Sequence, residues 1–230
     1  MAENEAIGPL IAVVGCDGSG KSRLSADLLT HVQKTRPAET GYLGLGSGEQ
    51  GRQIGRWPLI GPMLQRYLED VADRLRDPAA PIPGVIAAGY ALRKSKKRYR
   101  QFQSLLEKRR RGVVVVTDRY PQVERPGVHD GPILAGTARS EKLARIQDEE
   151  RALYQEMAAY VPTLVIHLKV DVDTAMARKP DHDRKLIALK IASLPQITFN
   201  GARIVVLDAT MDYDEELSKA KAAVDAALAA

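Results

Sequence analysis

The sequence is poor in cysteine and in aromatic residues, and it contains no long apolar run. Cys16 is the only cysteine among 230 residues and aromatic residues make up 5%, so an intrachain disulfide and a four-cysteine zinc site are both excluded. No apolar run reaches the roughly 18 residues that a membrane-spanning helix needs. The first five residues lack the basic start of a secretory signal, so a cytoplasmic location is the expectation.

The overall composition is that of a globular protein with a net positive charge. Hydrophobic residues make up 44% and charged residues 27%, which excludes a disordered chain. The length suits one well-buried α/β domain over residues 1–230. The formal charge of +5 and the pI near 9.3 favour anionic partners, without distinguishing nucleotides, nucleic acid or lipid headgroups.

The most informative stretch covers residues 11–24, which we interpret as a buried strand, a glycine-rich turn and the start of a helix. Gly15, Gly20, Lys21 and Ser22 fit the spacing G-x-x-x-x-G-K-S/T. Glycines let a loop curl until several backbone N–H groups converge on a polyphosphate, and the helix start adds partial positive charge. We expect Lys21 to reach the β- and γ-phosphates and the Ser22 hydroxyl to ligate Mg²⁺.

A second stretch, residues 112–121, places an acid and a base directly after a run of four valines. The valines predict a strand that is covered on both faces, as in the centre of a parallel sheet. Asp118 and Arg119 follow at the carboxyl end of this strand, the edge at which such sheets bind ligands. A functional role is expected for both residues, and the alternative is that they only pair with each other or cap a helix.

Strands alternate with helices along the chain, which predicts an α/β fold with one parallel sheet of about five strands. Further strands are predicted at 41–45, 162–170 and 203–209, and helices at 22–34, 59–75, 85–111, 140–160, 186–191 and 214–229, with a short helix ending at Arg178. His167 alternates with apolar residues and is expected in the core. The glycine-rich loop at 46–52 is interpreted either as an acceptor contact or as a plain surface connection.

The helix predicted at 85–111 is strongly basic, with aromatic residues interleaved among the charges. Positive charge at its C-terminal end complements the helix dipole. The earlier basic residues lie on several faces of the helix. They leave open a solvated surface, an anion-binding site and a contact with a membrane surface.

Four stretches in the same order resemble the P-loop nucleoside monophosphate kinases, and the thymidylate kinase family most closely. They are Gly15–Ser22, Asp118-Arg119-Tyr120, Arg178 with Asp183-Arg184, and Leu207-Asp208-Ala209. The resemblance implies a P-loop NTPase fold in a single kinase domain over residues 1–230. It also implies transfer of the γ-phosphoryl of ATP, with Mg²⁺, to a small anionic acceptor such as a nucleoside monophosphate.

The resemblance further implies roles for individual residues. The implied catalytic residues are Lys21, Asp17, Asp118, Arg119, Arg178 and Arg184, of which the last two belong to a short lid at about 178–185. The implied ATP-binding residues are Gly15, Asp17, Gly18, Ser19, Gly20, Lys21, Ser22, Arg23, Asp208 and Ala209. Ser22 and Asp118 are the implied metal ligands. The implied acceptor contacts are Tyr90, Arg93, Arg119 and Tyr120.

Two departures from the family pattern concern the acceptor. Thymidylate kinases usually carry an acidic-Pro-Gly-Gly signature after the second strand, where this chain has Gly44-Leu45-Gly46-Ser47-Gly48, and an arginine in the third helix, where Arg93 is the candidate. The sequence therefore leaves open a kinase for a sugar phosphate or a lipid-linked group. From another class, it leaves open a nucleotide-dependent switch or a nucleic-acid-binding ATPase. Nucleic acid is the less favoured partner, and a membrane surface and a homodimer are left open.

Overall fold

Five parallel strands form one sheet within the part of the chain that the computed structural model describes, residues 7–44 and 70–229. The strands are β1 Leu10–Gly15, β2 Ala38–Tyr42, β3 Val114–Asp118, β4 Leu164–Lys169 and β5 Ile204–Asp208. They pair in the order β2-β3-β1-β4-β5. The prediction of one parallel α/β sheet of about five strands is confirmed.

Helices connect the strands. They are α1 Lys21–Val32, α2 Val85–Arg110, α3 Glu141–Ala158, α4 Val172–Arg178, α5 Arg184–Ser193 and α6 Tyr213–Leu228. Of the helix predicted at 59–75, residues 70–75 are helical, whereas 59–69 and the loop at 46–52 lie outside the described residues. Within 7–44 and 70–229, none of the helices has the length and apolar character needed to cross a bilayer.

Side-chain caps begin four of these helices and are absent from the first. Each capping side chain accepts a hydrogen bond from a backbone N–H of the first helical turn; these residues are Ser140, Asp171, Asp183 and Asp212. Gly20 precedes α1 and offers no side-chain hydrogen bond. The N–H groups at the start of α1 therefore keep their donors for another partner.

The core lies on both faces of the central strands, which explains their continuous apolar sequence. Ile11 and Val13 of β1 pack in one cluster with α1 and α6, and Leu10 and Ala12 pack in a second cluster with α2 and α3. His167 on β4 is 8% exposed, and burial lowers its pKa to about 4. The expectation of a core histidine is confirmed.

The predicted position of the second strand is wrong by about three residues. The structure places β2 at Ala38–Tyr42 rather than at 41–45. The strand lies at the edge of the sheet, where its polar residues Glu39 and Thr40 are partly or fully exposed, so the apolar pattern is weak. Gly41 lies inside the strand, and a Cβ there would come within 2.8 Å of Leu105 Cδ1 on α2.

The topology places a crevice between β1 and β3. These two strands are neighbours, but the helices that follow them, α1 and α3, belong to the clusters on opposite faces of the sheet. Ligands bind in such sheets at the carboxyl ends of the strands where the connections diverge. The loop after β1 and the residues after β3 therefore share one crevice, as the sequence predicts.

Candidate active site

The loop between β1 and α1 has the backbone conformation that an anion cradle needs. Gly18 and Gly20 have φ angles of 86° and 94°, in the left-handed region that favours glycine. Gly18 is also tightly packed, since a Cβ there would lie 2.8 Å from the carbonyl oxygen of Ala175. Because α1 starts uncapped at Lys21, the loop adjoins free N–H groups and the positive end of a helix dipole.

Lys21 is buried inside this loop, with 6% of its surface exposed. Its Nζ donates to the carbonyl oxygen of Cys16 over 2.6 Å. Burial, reinforced by the charge of Arg119, lowers the pKa of Lys21. An ammonium has three donors, so this single bond leaves donors for phosphate oxygens.

Ser22 and Asp118 meet across the crevice. The Ser22 hydroxyl donates to Asp118 Oδ2 over 2.6 Å. Asp118 Oδ1 and the Ser19 hydroxyl are buried and have no hydrogen-bond partner in the part of the chain that is described. Buried polar atoms are normally hydrogen bonded, and oxygen atoms such as those of carboxylates and hydroxyls are the ligands that Mg²⁺ prefers. The residues present therefore fit a magnesium ion.

Arg119 lies in an ion-pair network at the end of β3. Its φ of 82° is unusual for a residue other than glycine, and the Thr117 hydroxyl donates to its carbonyl oxygen over 2.9 Å. Its guanidinium lies 3.2 Å from Asp17 Oδ1 and 3.5 Å from Asp130 Oδ2. The charge of Asp130, together with that of Asp17, raises the pKa of Arg119 despite burial. The guanidinium therefore stays charged and is fixed beside the phosphate loop.

Sequence reasoning missed the buried ion pair behind Arg119. Arg98, on the basic helix α2, is 1% exposed and donates to Asp130 Oδ1 over 2.6 Å and to the Leu43 carbonyl and the Tyr154 hydroxyl over 2.8 and 2.9 Å. Burial disfavours both charges of the pair. For Asp130, the charges of Arg119 and Arg98 outweigh the effect of burial and lower its pKa. For Arg98, Tyr154 and Asp130 outweigh the effect of burial and raise its pKa.

The signal that could have identified Arg98 is its position in the helix. Ala91, Ser95 and Phe102 share its face at helical intervals, and all are buried. By contrast, Arg93, Lys97 and Arg100 are exposed. The basic stretch therefore combines an internal anchor of the crevice with a solvated face.

Lys190 was also missed, and it enters the site from α5. Its Nζ lies 2.5 Å from Asp17 Oδ2, and its carbonyl oxygen is hydrogen bonded to Nε2 of His129. Burial disfavours the charged form of Asp17. The positive charges of Lys190, Lys21 and Arg119 outweigh the effect of burial, so the pKa of Asp17 lies well below its usual range. Asp17 is thus a carboxylate shared between two cations, Arg119 and Lys190.

The two arginines expected in a lid occupy different positions. Arg178 donates to the Gly18 carbonyl over 3.2 Å and to the Ala209 carbonyl over 2.9 Å, so it joins the phosphate loop to the residue after β5. Arg184 pairs with Asp173 over 2.6 Å, and both side chains are exposed. The structure therefore brings Arg178, but not Arg184, into contact with the phosphate loop.

Three further residues that were predicted to contact the nucleotide, Arg23, Asp208 and Ala209, lie outside the phosphate loop itself. The Arg23 guanidinium stacks on the Tyr213 ring, 3.5 Å from its centroid. Asp208 is exposed, and it accepts hydrogen bonds from the backbone N–H and the hydroxyl of Thr210. Ala209 is buried and bonded to Arg178.

The expected acceptor residues are less closely grouped. Tyr120 is 1% exposed, and its hydroxyl donates to the Tyr160 carbonyl oxygen. Tyr90 is 56% exposed, with the Lys94 ammonium 5.4 Å from its ring centroid, and Arg93 is exposed. In the described part of the chain, neither Tyr90 nor Arg93 pairs with a residue of the crevice. Among these residues only Arg119 contacts the phosphate loop.

The fold and the loop define the class of this protein. No family model matches the chain. Deoxyadenosine kinase from M. mycoides, solved with bound dATP, has the same fold, with a TM-score of 0.53, 14% sequence identity and coverage of 94% of this chain and 99% of that one. The chain therefore has the P-loop NTPase fold, as the sequence predicts.

Two curated relatives identify the family to which the chain belongs. The chain is 43% identical over 221 residues to the uncharacterized ATP-binding protein YghS of Escherichia coli K12, covering 95% of this chain and 93% of YghS. It is 40% identical over 217 residues to the uncharacterized ATP-binding protein YghR of the same strain, covering 94% and 86%. The chain belongs to the family of these two ATP-binding proteins.

Proposed function

We propose that this protein binds ATP with Mg²⁺ and transfers the γ-phosphoryl group to a small acceptor. The observation that carries the proposal is the hydrogen bond of Ser22 to Asp118 beside the buried Lys21, with Asp118 Oδ1 left without a partner among the described residues. These are the groups that hold the metal and the terminal phosphates in P-loop enzymes. The ATP-binding names of the relatives support the nucleotide.

The proposed mechanism relies on position and charge rather than on a covalent intermediate. The loop N–H groups and Lys21 bind the phosphates, and Arg119 holds positive charge on the acceptor side of the loop. Magnesium, when bound by Ser22 and Asp118, would neutralise phosphate charge. Asp17, ionised by its two cationic partners, orients Arg119 and faces the acceptor side.

Residues 178–185 are proposed as the lid of a single kinase domain. The Arg184–Asp173 pair is exposed on both sides, and exposed pairs contribute only about 0–1 kcal/mol. Arg184 can therefore leave Asp173 at little cost when the lid closes over ATP. Arg178 instead fixes the phosphate loop against Ala209, at the segment proposed to border the adenine.

The acceptor that we propose is a nucleoside monophosphate, as in thymidylate kinases, bound through Arg119 and the surface of α2 that carries Tyr90 and Arg93. A nucleoside is the second candidate, because the fold is shared with deoxyadenosine kinase. Both acceptors present an oxygen nucleophile at the crevice.

The test is a panel of nucleosides and nucleoside monophosphates incubated with ATP and Mg²⁺, with phosphorylated product measured by chromatography. We expect one acceptor to stimulate ADP release, and Ser22→Ala to abolish the response to Mg²⁺. Ser25→Ala, on the same helix, is the matched control. ATP hydrolysis that no member of this panel stimulates would contradict both proposed acceptors and favour a non-nucleotide acceptor or a nucleotide-dependent switch.

A further inference from the structure

Lys190 is the point at which α5 contacts the other parts of the crevice. Its ammonium lies 2.5 Å from Asp17 in the phosphate loop. Its carbonyl oxygen is bonded to His129, which precedes Asp130, the partner of Arg119. The backbone of α5 is thereby held against the loop after β3, while the side chain reaches the loop after β1.

The cations of the crevice are all occupied by internal acceptors, but they are not held equally. The guanidinium of Arg119 is held on two sides, by Asp17 and by Asp130. Within residues 7–44 and 70–229, the side chain of Lys190 has one partner, Asp17, and it is 21% exposed. A lysine ammonium on a flexible four-carbon stem reorients more readily than a guanidinium held at two sides.

Asp17 does not need Lys190 in order to remain paired. Arg119 contacts Oδ1, whereas Lys190 contacts Oδ2. Removing the only partner of a buried charge is costly, but here a second cation stays in place. A bound triphosphate offers more negative charge than one carboxylate, so the Lys190 ammonium can exchange partners without stranding Asp17.

We propose that Lys190 is a phosphate-binding residue, whose ammonium moves from Asp17 to the terminal phosphate of a bound triphosphate and thereby favours ATP over ADP. The inference rests on the proposed function, since it concerns the same nucleotide site. The terminal phosphate is the one that reaches the acceptor side of the loop, where Asp17 and Arg119 lie. Lys21, inside the loop, serves the inner phosphates as well.

The experiment compares the dissociation constants of ADP and of the non-hydrolysable analogue AMP-PNP, measured by calorimetry with Mg²⁺. For Lys190→Met we expect AMP-PNP to bind about tenfold or more weakly, the scale of one charge-assisted hydrogen bond. ADP should change less than about twofold. Lys142→Met, at an exposed lysine of α3 outside the proposed lid, should leave both constants unchanged.

A double-mutant cycle distinguishes phosphate binding from mere support of Asp17. Asp17→Asn frees Lys190, so it should bind AMP-PNP at least as tightly as the wild type, and the double variant should bind as weakly as Lys190→Met. If Lys190 only supports Asp17, the two single variants will weaken binding alike and the double variant will be no worse. That result, or equal weakening of ADP and AMP-PNP in Lys190→Met, would overturn the inference.

Two further readouts keep the test decisive. Thermal unfolding of each variant reports whether it folds. If Lys190→Met does not fold, Lys190→Gln replaces it, because glutamine keeps a hydrogen-bond donor to Asp17 without the charge. It should show the same loss of preference for the triphosphate. A wild-type protein that binds neither nucleotide would overturn the proposed function itself. Wild-type binding with an unchanged preference in the Lys190 variants overturns only the role of Lys190.

Discussion

The phosphate loop and the polar network behind the crevice lie next to each other but are built differently. The loop consists of consecutive residues, 15–20, and offers backbone groups held open by left-handed glycines. The network joins Arg98 to Leu43, Asp130 and Tyr154, which are 55, 32 and 56 positions away in the chain. The loop faces the crevice, whereas Arg98 and Tyr154 are almost fully buried.

The difference teaches which property each region serves. The loop keeps unpaired donors and a buried lysine available for a ligand, so we expect changes there to affect binding and turnover. The network satisfies nearly all of its own donors and acceptors internally, so changes there should affect the stability of the fold. Arg119 connects the two, because Asp17 in the loop and Asp130 in the network both contact its guanidinium.

The largest expected effect is that of Arg98→Met, which removes the buried guanidinium but keeps an apolar chain of similar length. The Leu43 carbonyl loses its donor and Asp130 loses the closer of its two cationic partners, and breaking a buried pair costs about 3–5 kcal/mol. Urea denaturation should show this loss in the free energy of unfolding. Lys97→Met, an exposed neighbour on α2, is the control. A loss below about 1 kcal/mol would show that the network does not stabilise the fold.

The next largest effect is that of Lys21→Ala, which should reduce turnover while leaving the stability of the fold nearly unchanged. We expect kcat to fall about a hundredfold to a thousandfold, as when an electrostatic group of an active site is removed. The free energy of unfolding should change by less than about 1 kcal/mol, since the lysine is desolvated and bonded to one carbonyl. Steady-state kinetics and urea denaturation check the two values, with the exposed Lys34→Ala as control. Near-normal turnover would contradict the phosphate role.

The smallest effect tests where the site ends and the core begins. Tyr120 follows Arg119 directly but is buried against Tyr160. Tyr120→Phe should cost about 1–2 kcal/mol of stability because the Tyr160 carbonyl loses its donor, and it should leave the KM for the acceptor unchanged. Tyr90→Phe, at an exposed position, should cost less than about 0.5 kcal/mol. A raised KM with unchanged stability in Tyr120→Phe would return this residue to acceptor binding.

Much of the fold and the donor side of the site was predictable because the signals are local. Residues 11–24 contain strand, turn and helix start in one contiguous pattern, and the valines before Asp118 indicate a central strand. The edge strand β2 was misplaced because it is partly polar and contains Gly41, which packs against Leu105. That contact depends on α2, more than sixty residues further along the chain.

The residues that sequence reasoning missed are those whose role depends on tertiary contacts. Arg98 is one of several arginines and lysines in a basic helix, and its place on the face of Ala91 and Phe102 does not by itself reveal the carboxylate that it meets. Lys190 lies on a helix that was correctly predicted, but its partner, Asp17, is 173 positions away. Asp130 belongs to the glycine- and proline-containing segment between β3 and α3, and that composition carries no information on the arginines that Asp130 meets.

The close packing of Gly18 on Ala175 and the bonds of Arg178 have a consequence for local unfolding. The phosphate loop, α4 and the residue after β5 share contacts that none of the three can give up alone. We therefore expect the three to open together in local unfolding. An opening of α4 would dismantle the cradle as well, so the integrity of the phosphate loop depends on a segment more than 150 residues away in the chain.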